Sequence, residues 1–230
     1  MSASAGTFLV PSPRPDVLAA VLLHDTGWDG TEDPPRLATD RRPVAFDTLP
    51  GPERETVWAA TVERAAVRGR YVAYLVSHHV STLAEMSREG AHRDFLAQQE
   101  RFRARLRAEL ARDPRYAGVL STPADEANRA IVRLTDAVAV HLASGRGETA
   151  HLPGVPRRGG SAPMAVQRIA EATYRLRPWP LLGQRLAVTA EGRRLSAGEF
   201  ADQESLMRAW REAATVRLTW TLLAPGAASD

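Results

Sequence analysis

The chain has 230 residues, 44% of them hydrophobic and 25% charged, with a formal net charge of +3 and a pI of about 9.9. That length suits one well-cored domain or a domain with an appendage, and the composition is that of a globular protein rather than a disordered one. Cysteine is absent, which removes disulfides, thiolate nucleophiles and thiolate metal sites, so any metal must be held by nitrogen and oxygen.

Every basic residue is arginine, and 30 of them face 27 acidic residues. The basic pI therefore reflects a compositional bias towards Arg and by itself says little about partners. No apolar run is long enough to span a bilayer, and the N-terminus lacks the charged start and apolar core of a secretory signal, so the expected location is the cytoplasm with no membrane partner.

Taken in chain order, Asp16 can cap a helix from Val17 to about Asp25, preceded by Pro15 and ended by Gly27. Residues 28–52 hold Pro34, Pro35, Pro43 and Pro50 and read as an irregular loop. Helical spacing resumes over Glu53 to Val67, with Val57, Trp58, Thr61, Val62 and Ala65 on one face. In the next helix, Tyr71 to about Met86, residues Val72, Leu75, Val76, His79, Leu83 and Met86 form one buried stripe, while His78 lies with Tyr71, Tyr74, Thr82 and Glu85 on a more polar side.

Arg93 to Ala111 reads as an amphipathic helix with Phe95, Leu96, Phe102, Leu106 and Leu110 along its stripe, stopped at Asp113-Pro114. Its alternate arginines, Arg101, Arg103, Arg105 and Arg107, point to different sides of the helix and so make a poor nucleic-acid patch. After a turn at residues 121–123, a helix runs from Asp125 to about Leu142. Ile131, Leu134, Val138, His141 and Leu142 line one face, with Val132, Asp136, Ala139 and Val140 beside it. The Gly- and Pro-rich stretch 144–163 reads as a loop. Arg185–Ala190 and Arg193–Ser196 flank Glu191-Gly192 as a tight hairpin, and Thr215–Leu223 alternates as a half-buried strand. The expected architecture is α+β and mainly helical: a helical body over 1–150 and an extension over 151–230 with a small antiparallel sheet.

The His24-Asp25 pair at the exit of the first helix carries the chemistry. An adjacent imidazole and carboxylate can hold a divalent metal, although the pair is equally an ordinary helix terminus, where the dipole favours a cationic imidazole. The metal reading needs partners, and two candidates exist. His79 faces the core, where a lone histidine is commonly just hydrogen-bonded. Asp136 is a carboxylate among apolar residues, which needs a cation, hydrogen bonds or an arginine such as Arg129 or Arg133. His92, His141 and His151 read as structural or exposed, and Trp28 as an apolar plug over the helix ends. Neither a nucleophile elbow, a P-loop nor a dinucleotide glycine fingerprint is present.

These residues resemble the HD superfamily of metal-dependent phosphohydrolases, all-helical proteins marked by a histidine, an adjacent His-Asp pair and a distant Asp. More closely, Pro13-Arg-Pro-Asp16, His24-Asp-Thr-Gly-Trp28, Leu75-Val-Ser-His-His79 and Pro178-Trp-Pro180 resemble an uncharacterised bacterial family, domain of unknown function 3891, over nearly the whole chain. The resemblance implies an HD-like helical bundle in which His24, Asp25, His79 and Asp136 are metal ligands. No histidine precedes His24, where the superfamily places its first ligand on an earlier helix, so the resemblance implies either a start further upstream or a lost ligand.

A mixed nitrogen and oxygen set suits manganese, iron, cobalt, nickel or zinc and leaves coordination positions open. The expected function is hydrolysis of a phosphoester, such as a nucleotide or other small phosphorylated molecule, with Asp25 both ligand and catalytic orienter and with Arg14, Arg41 or Arg42 as candidates to grip phosphate. The competing expectation is a non-catalytic metal- or ligand-binding protein of the same fold.

Overall fold

The computed structural model describes residues 8–29, 35–87, 92–120, 123–158 and 160–228. Eleven of the 17 residues of the helix Arg70–Met86 are buried, and a helix buried on most of its sides belongs at the centre of a helical layer. Along the chain the helices are α1 (Arg14–Leu23), α2 (Gly51–Arg68), α3 (Arg70–Met86), α4 (Arg93–Leu110), α5 (Pro114–Ala117) and α6 (Pro123–Ser144), with a 3-10 turn at Thr26–Trp28 after α1. Helices α1, α2, α4 and α6 all pack on α3.

The expected face of α2 is buried as read: Val57, Trp58, Thr61, Val62 and Ala65. On α3 the stripe Val72, Leu75, Val76 and His79 is buried, but Met86 is 75% exposed and the tyrosines placed on the polar side, Tyr71 and Tyr74, are buried. Their rings can go inside because their hydroxyls find partners there. Tyr71 and Tyr74 donate to Asp125 at 3.4 and 3.1 Å, and the Asn128 amide donates to the Tyr71 hydroxyl at 2.8 Å. Asp16 does not cap α1. The helix begins at Arg14, three residues before the expected Val17, after Pro13, which offers no side-chain cap, and Asp16 instead accepts from the Tyr116 hydroxyl at 3.3 Å. The turn residues 121–122 and Pro34 lie outside the described residues.

The second layer is a five-stranded sheet in the order β1-β2-β3-β5-β4, formed by β1 (Thr149–Arg157), β2 (Gly160–Ala170), β3 (Thr173–Arg177), β4 (Arg185–Arg194) and β5 (Ala214–Leu223). The sheet is larger than expected, and it is mixed, because β3 and β5 run parallel. Three sequence readings are corrected by it.

Much of the stretch 144–163 is strand rather than loop. Pro153 and Pro156 are tolerated because β1 is an edge strand, and the register shift between Leu152 and Val155 absorbs Pro153 and Gly154. Glu191-Gly192 is not a turn: both residues sit inside β4, opposite Arg217 and Val216. Gly192 lacks the positive φ that a two-residue hairpin turn requires. Between β4 and β5 lies a helix that the sequence reading assigned no element, α7 (Gln203–Glu212), started by a capping box between Asp202 and Ser205.

Helix α6 joins the two layers. Val132 belongs to the helical core, whereas Leu134 and Leu142 join Val155, Met164, Val166 and Leu222 in the core beneath the sheet. The overall class is α+β.

Candidate metal centre

Four side chains from three mutually packed helices meet at one point. His24 caps the C-terminus of α1 and Asp25 opens the 3-10 turn, His79 projects from α3 and Asp136 from α6. Each offers one nitrogen or oxygen, and these four atoms lie within 4.8 Å of one another. His24 Nε2 is 3.2 Å from Asp25 Oδ2 and 3.6 Å from Asp136 Oδ1, and His79 Nε2 is 3.9 Å from Asp136 Oδ2. The two imidazole rings stand edge to face with centroids 5.1 Å apart.

Local bonds hold the pair in place. His24 Nδ1 lies 2.7 Å from the Val21 carbonyl, which can only accept, so Nδ1 carries a proton and Nε2 is turned towards the cluster. The Thr26 hydroxyl donates to the Leu23 carbonyl at 2.9 Å, and the Trp28 amide donates to the Asp25 carbonyl at 3.0 Å. The Gly27 amide donates to the Thr61 hydroxyl at 3.0 Å, and that hydroxyl donates to the Val57 carbonyl at 3.0 Å. Gly27 is obligatory here by contact: a Cβ would fall 2.1 Å from the Val57 carbonyl oxygen and 2.2 Å from Thr61 Oγ1.

The charges in the cluster are unbalanced. Burial pulls the His24 pKa down, but the carboxylates of Asp136 and Asp25 outweigh it and push it up to about 10. At 3.2 and 3.6 Å they act on the charge of the ring, while Nε2 meets no acceptor in hydrogen-bonding geometry. His79 moves the other way, to about 4, because burial dominates and Asp136 only partly offsets it. For Asp25, burial opposes ionisation but the adjacent His24 prevails and the pKa is lowered. The cluster thus sets a cationic His24 and a neutral His79 beside the oxygens of Asp25 and Asp136, a mixed nitrogen and oxygen donor set.

A divalent metal fits these residues. Both nitrogens of His79 and Nε2 of His24 are buried without a hydrogen-bond partner, and such atoms cost stability unless something binds them. With metal–ligand bonds of about 2.1 Å, tetrahedral donors stand about 3.4 Å apart, and the observed spacings of 3.2, 3.6 and 3.9 Å lie around that value.

Residues 4–197 match the family model described as "Protein of unknown function (DUF3891)". The chain belongs to this family. The DUF3891 match takes in α1 to β4 and all four clustered residues, whereas α7 and β5 follow it, although β5 lies between β3 and β4 in the sheet. No curated protein and no solved structure matches the chain.

Other candidates in this DUF3891 chain fall elsewhere. Arg14 begins α1, a 10-residue helix, and so stands about 15 Å along it from His24. Arg41 and Arg42 turn to the Phe200 carbonyl and to Glu199. Asp136 pairs with neither arginine considered for it, since Arg129 meets Asp125 at 3.4 Å. His92 is buried against Glu55 at 2.6 Å, His141 is buried on α6 and His151 is exposed. Trp28 lines a cavity of about 310 Å³ with Val44, Leu49 and Val57, and no clustered residue borders it. The residue most underrated by sequence reasoning is His78. It is half-buried, and burial together with Arg103, Arg129, Arg107 and Arg133 pushes its pKa down to about 3. The available signal was the four-residue spacing of those arginines in two helices.

Proposed function

We propose that this DUF3891 protein is a divalent-metal-dependent phosphohydrolase whose metal is held by His24, Asp25, His79 and Asp136. One observation carries the reading: two imidazoles and two carboxylates converge within 4.8 Å, with His24 Nε2 and both nitrogens of His79 buried and unbonded. The donor set suits manganese, iron, cobalt, nickel or zinc. Such an ion supplies Lewis acidity to a phosphoryl group and an activated water near neutral pH.

The protein's own residues divide the remaining work. His79, 2% exposed, and Asp136 form the closed floor of the site. Asp25, with a side chain 54% exposed, is the ligand on the solvent side. Its lowered pKa keeps it ionised at neutral pH, so it stays available as a ligand and as a hydrogen-bond acceptor that orients an incoming water towards substrate. The resemblance to HD phosphohydrolases supports a phosphoester as the substrate class.

The test combines metal analysis with turnover. Protein purified without added metal should carry close to one transition-metal ion per chain, His24→Ala and Asp136→Ala should lose it, and the loaded wild type should hydrolyse at least one generic phosphomonoester or diester. Absence of metal from the wild type overturns the metal centre. Stoichiometric metal without turnover of any phosphoester overturns hydrolysis and leaves a binding protein.

A further inference from the structure

Beside the four clustered residues, α3, α4 and α6 converge on His78. From α4, Arg103 donates to the Ser77 carbonyl at 3.1 Å and to the Ser77 and Ser81 hydroxyls at 3.2 and 2.5 Å. One turn on, Arg107 donates to the Leu120 carbonyl at 2.8 Å and reaches the Tyr74 hydroxyl at 3.5 Å. The Tyr74 ring in turn meets His78 edge to face, with centroids 4.7 Å apart. These bonds fix two guanidiniums against the half-buried face of α3 that carries His78.

Helix α6 brings two more. Arg129 faces Asp125, and Arg133 follows one turn later. Arg133 has no hydrogen bond or ion pair among the described residues, and its Nε is buried and unbonded. Arg129, Arg133 and Asp136 stand at i, i+4 and i+7, so they share one face of α6. The free guanidinium therefore lies on the same stripe as a carboxylate of the metal cluster.

The surrounding charges leave this flank cationic. Asp125 balances Arg129, and Glu100 and Glu85 act on Arg103. Asp136 turns to the imidazoles of His24 and His79. All four guanidiniums act on the His78 ring. Arg133 is left as a donor fork without an acceptor, the geometry that takes phosphate in two parallel bonds.

We propose that Arg133, backed by Arg103, Arg107 and Arg129, forms an anion site on the flank of the metal cluster, and that the substrate carries a second phosphate beyond the one at the metal, as a di- or oligophosphate does. For the reaction this rests on the phosphohydrolase reading; the anion site itself does not. A phosphate bound only at the four ligands would leave the half-buried Arg133 guanidinium with solvent as its partner, whereas a neighbouring phosphate would give it a charged acceptor.

Calorimetric titration of the full-length protein with inorganic tripolyphosphate and with orthophosphate tests the site. Tripolyphosphate should bind at least about tenfold more tightly than orthophosphate, and its affinity should fall as salt is raised. Arg133→Gln should weaken tripolyphosphate binding by about tenfold or more while metal content and thermal melting stay at wild-type values, and Arg133→Lys should recover part of the loss. His24→Ala should keep the tripolyphosphate site, so Arg133-dependent binding in a protein that holds no metal upholds this inference while the phosphohydrolase reading fails. Equal affinity for the two anions, or wild-type tripolyphosphate affinity in Arg133→Gln, overturns it.

Discussion

His24 Nδ1 stands 2.7 Å from the carbonyl oxygen of Val21, one turn back on α1. That bond commits the other ring nitrogen to the space shared with Asp25, His79 and Asp136, just as metal-bound histidines are oriented by a bond from their far nitrogen. Loss of an orienting partner commonly costs about 10–100-fold in metal affinity, and loss of the ligand itself should exceed that. His24→Ala should therefore lower divalent-metal affinity by more than about a hundredfold without unfolding the protein. Competition with a fluorescent chelator measures it, and wild-type affinity in His24→Ala would remove His24 from the ligand set.

The proton on His24 gives the proposed metal site a pH signature. In the metal-free protein the His24 pKa is raised from 6.5 to about 10, while His79 is held at about 4. At neutral pH one imidazole is charged and one is neutral, so metal entry should expel one proton and not two. Apparent affinity should then rise about tenfold per pH unit between about pH 6 and pH 9, because raising the pH removes the competing proton. Titration calorimetry at about pH 6, below the ionisation of a metal-bound water, in buffers of different ionisation enthalpy counts the protons; a count of zero or two contradicts the assignment.

The same shifts fix how metal-free stability responds to pH. A raised imidazole pKa stabilises the fold below the ordinary value of 6.5, and the contribution is lost as pH climbs through about 10. The depressed His79 acts in the opposite sense, costing stability as pH falls from 6.5 towards about 4. Metal-free protein should accordingly melt highest near pH 6.5 and lose stability on both sides. Loading with metal should flatten the alkaline side, since no proton is then needed on His24. A melting profile of unchanged shape in metal-free and loaded protein would refute this.

Gly27 ties the site to α2. A methyl group there meets the Val57 carbonyl and the Thr61 hydroxyl at less than van der Waals contact, and neither is a free side-chain end. Thr61 is itself held by its bond to Val57. Gly27→Ala must displace the 3-10 turn that follows Asp25, at a cost of about 1–3 kcal/mol, and should lower the melting temperature by several degrees. Metal affinity should fall as well, because Asp25 moves with the turn. Thermal unfolding and chelator competition should shift together; a melt change at unaltered affinity would separate the turn from the site.

How much of this was legible before any coordinates depended on period and on neighbours. Helices α2, α4 and α6 carry long apolar stripes, and their existence follows from spacing alone. His79 and Asp136 could be placed on core-facing stripes, but their approach to His24 depends on how α1, α3 and α6 pack, which no single helix encodes. Tyr71 and Tyr74 were misplaced because their burial requires Asp125 and Asn128, about 50 residues away. The strand β1 was hidden by its own prolines, which are harmless only at a sheet edge. Glu191-Gly192 has turn chemistry, yet β5 pairs along the whole of β4 and overrides it. The fork of Arg133 was obscured by its sequence neighbour Asp136, which uses its oxygens on the imidazoles instead.

Helix α7 offers a last and different test, because it is held by few contacts. Leu206 is its single buried residue, at 0% exposure. The Gln203 side chain accepts from the Leu37 amide at 2.7 Å and donates to the Pro35 carbonyl at 2.9 Å, and the Asp202 carboxylate caps the helix by accepting from the Ser205 amide at 2.8 Å. Removing the Leu206 side chain takes away the one fully buried apolar side chain of α7, worth about 2–5 kcal/mol at such a site. Leu206→Ala should therefore loosen α7 locally, while α3 and the clustered residues, in the other layer, keep their protection. Hydrogen exchange read by mass spectrometry should show faster exchange over residues 203–212, with peptides from 70–86 unchanged. Equal acceleration in both segments would mean that the two layers unfold as one unit and that α7 is integral to the core.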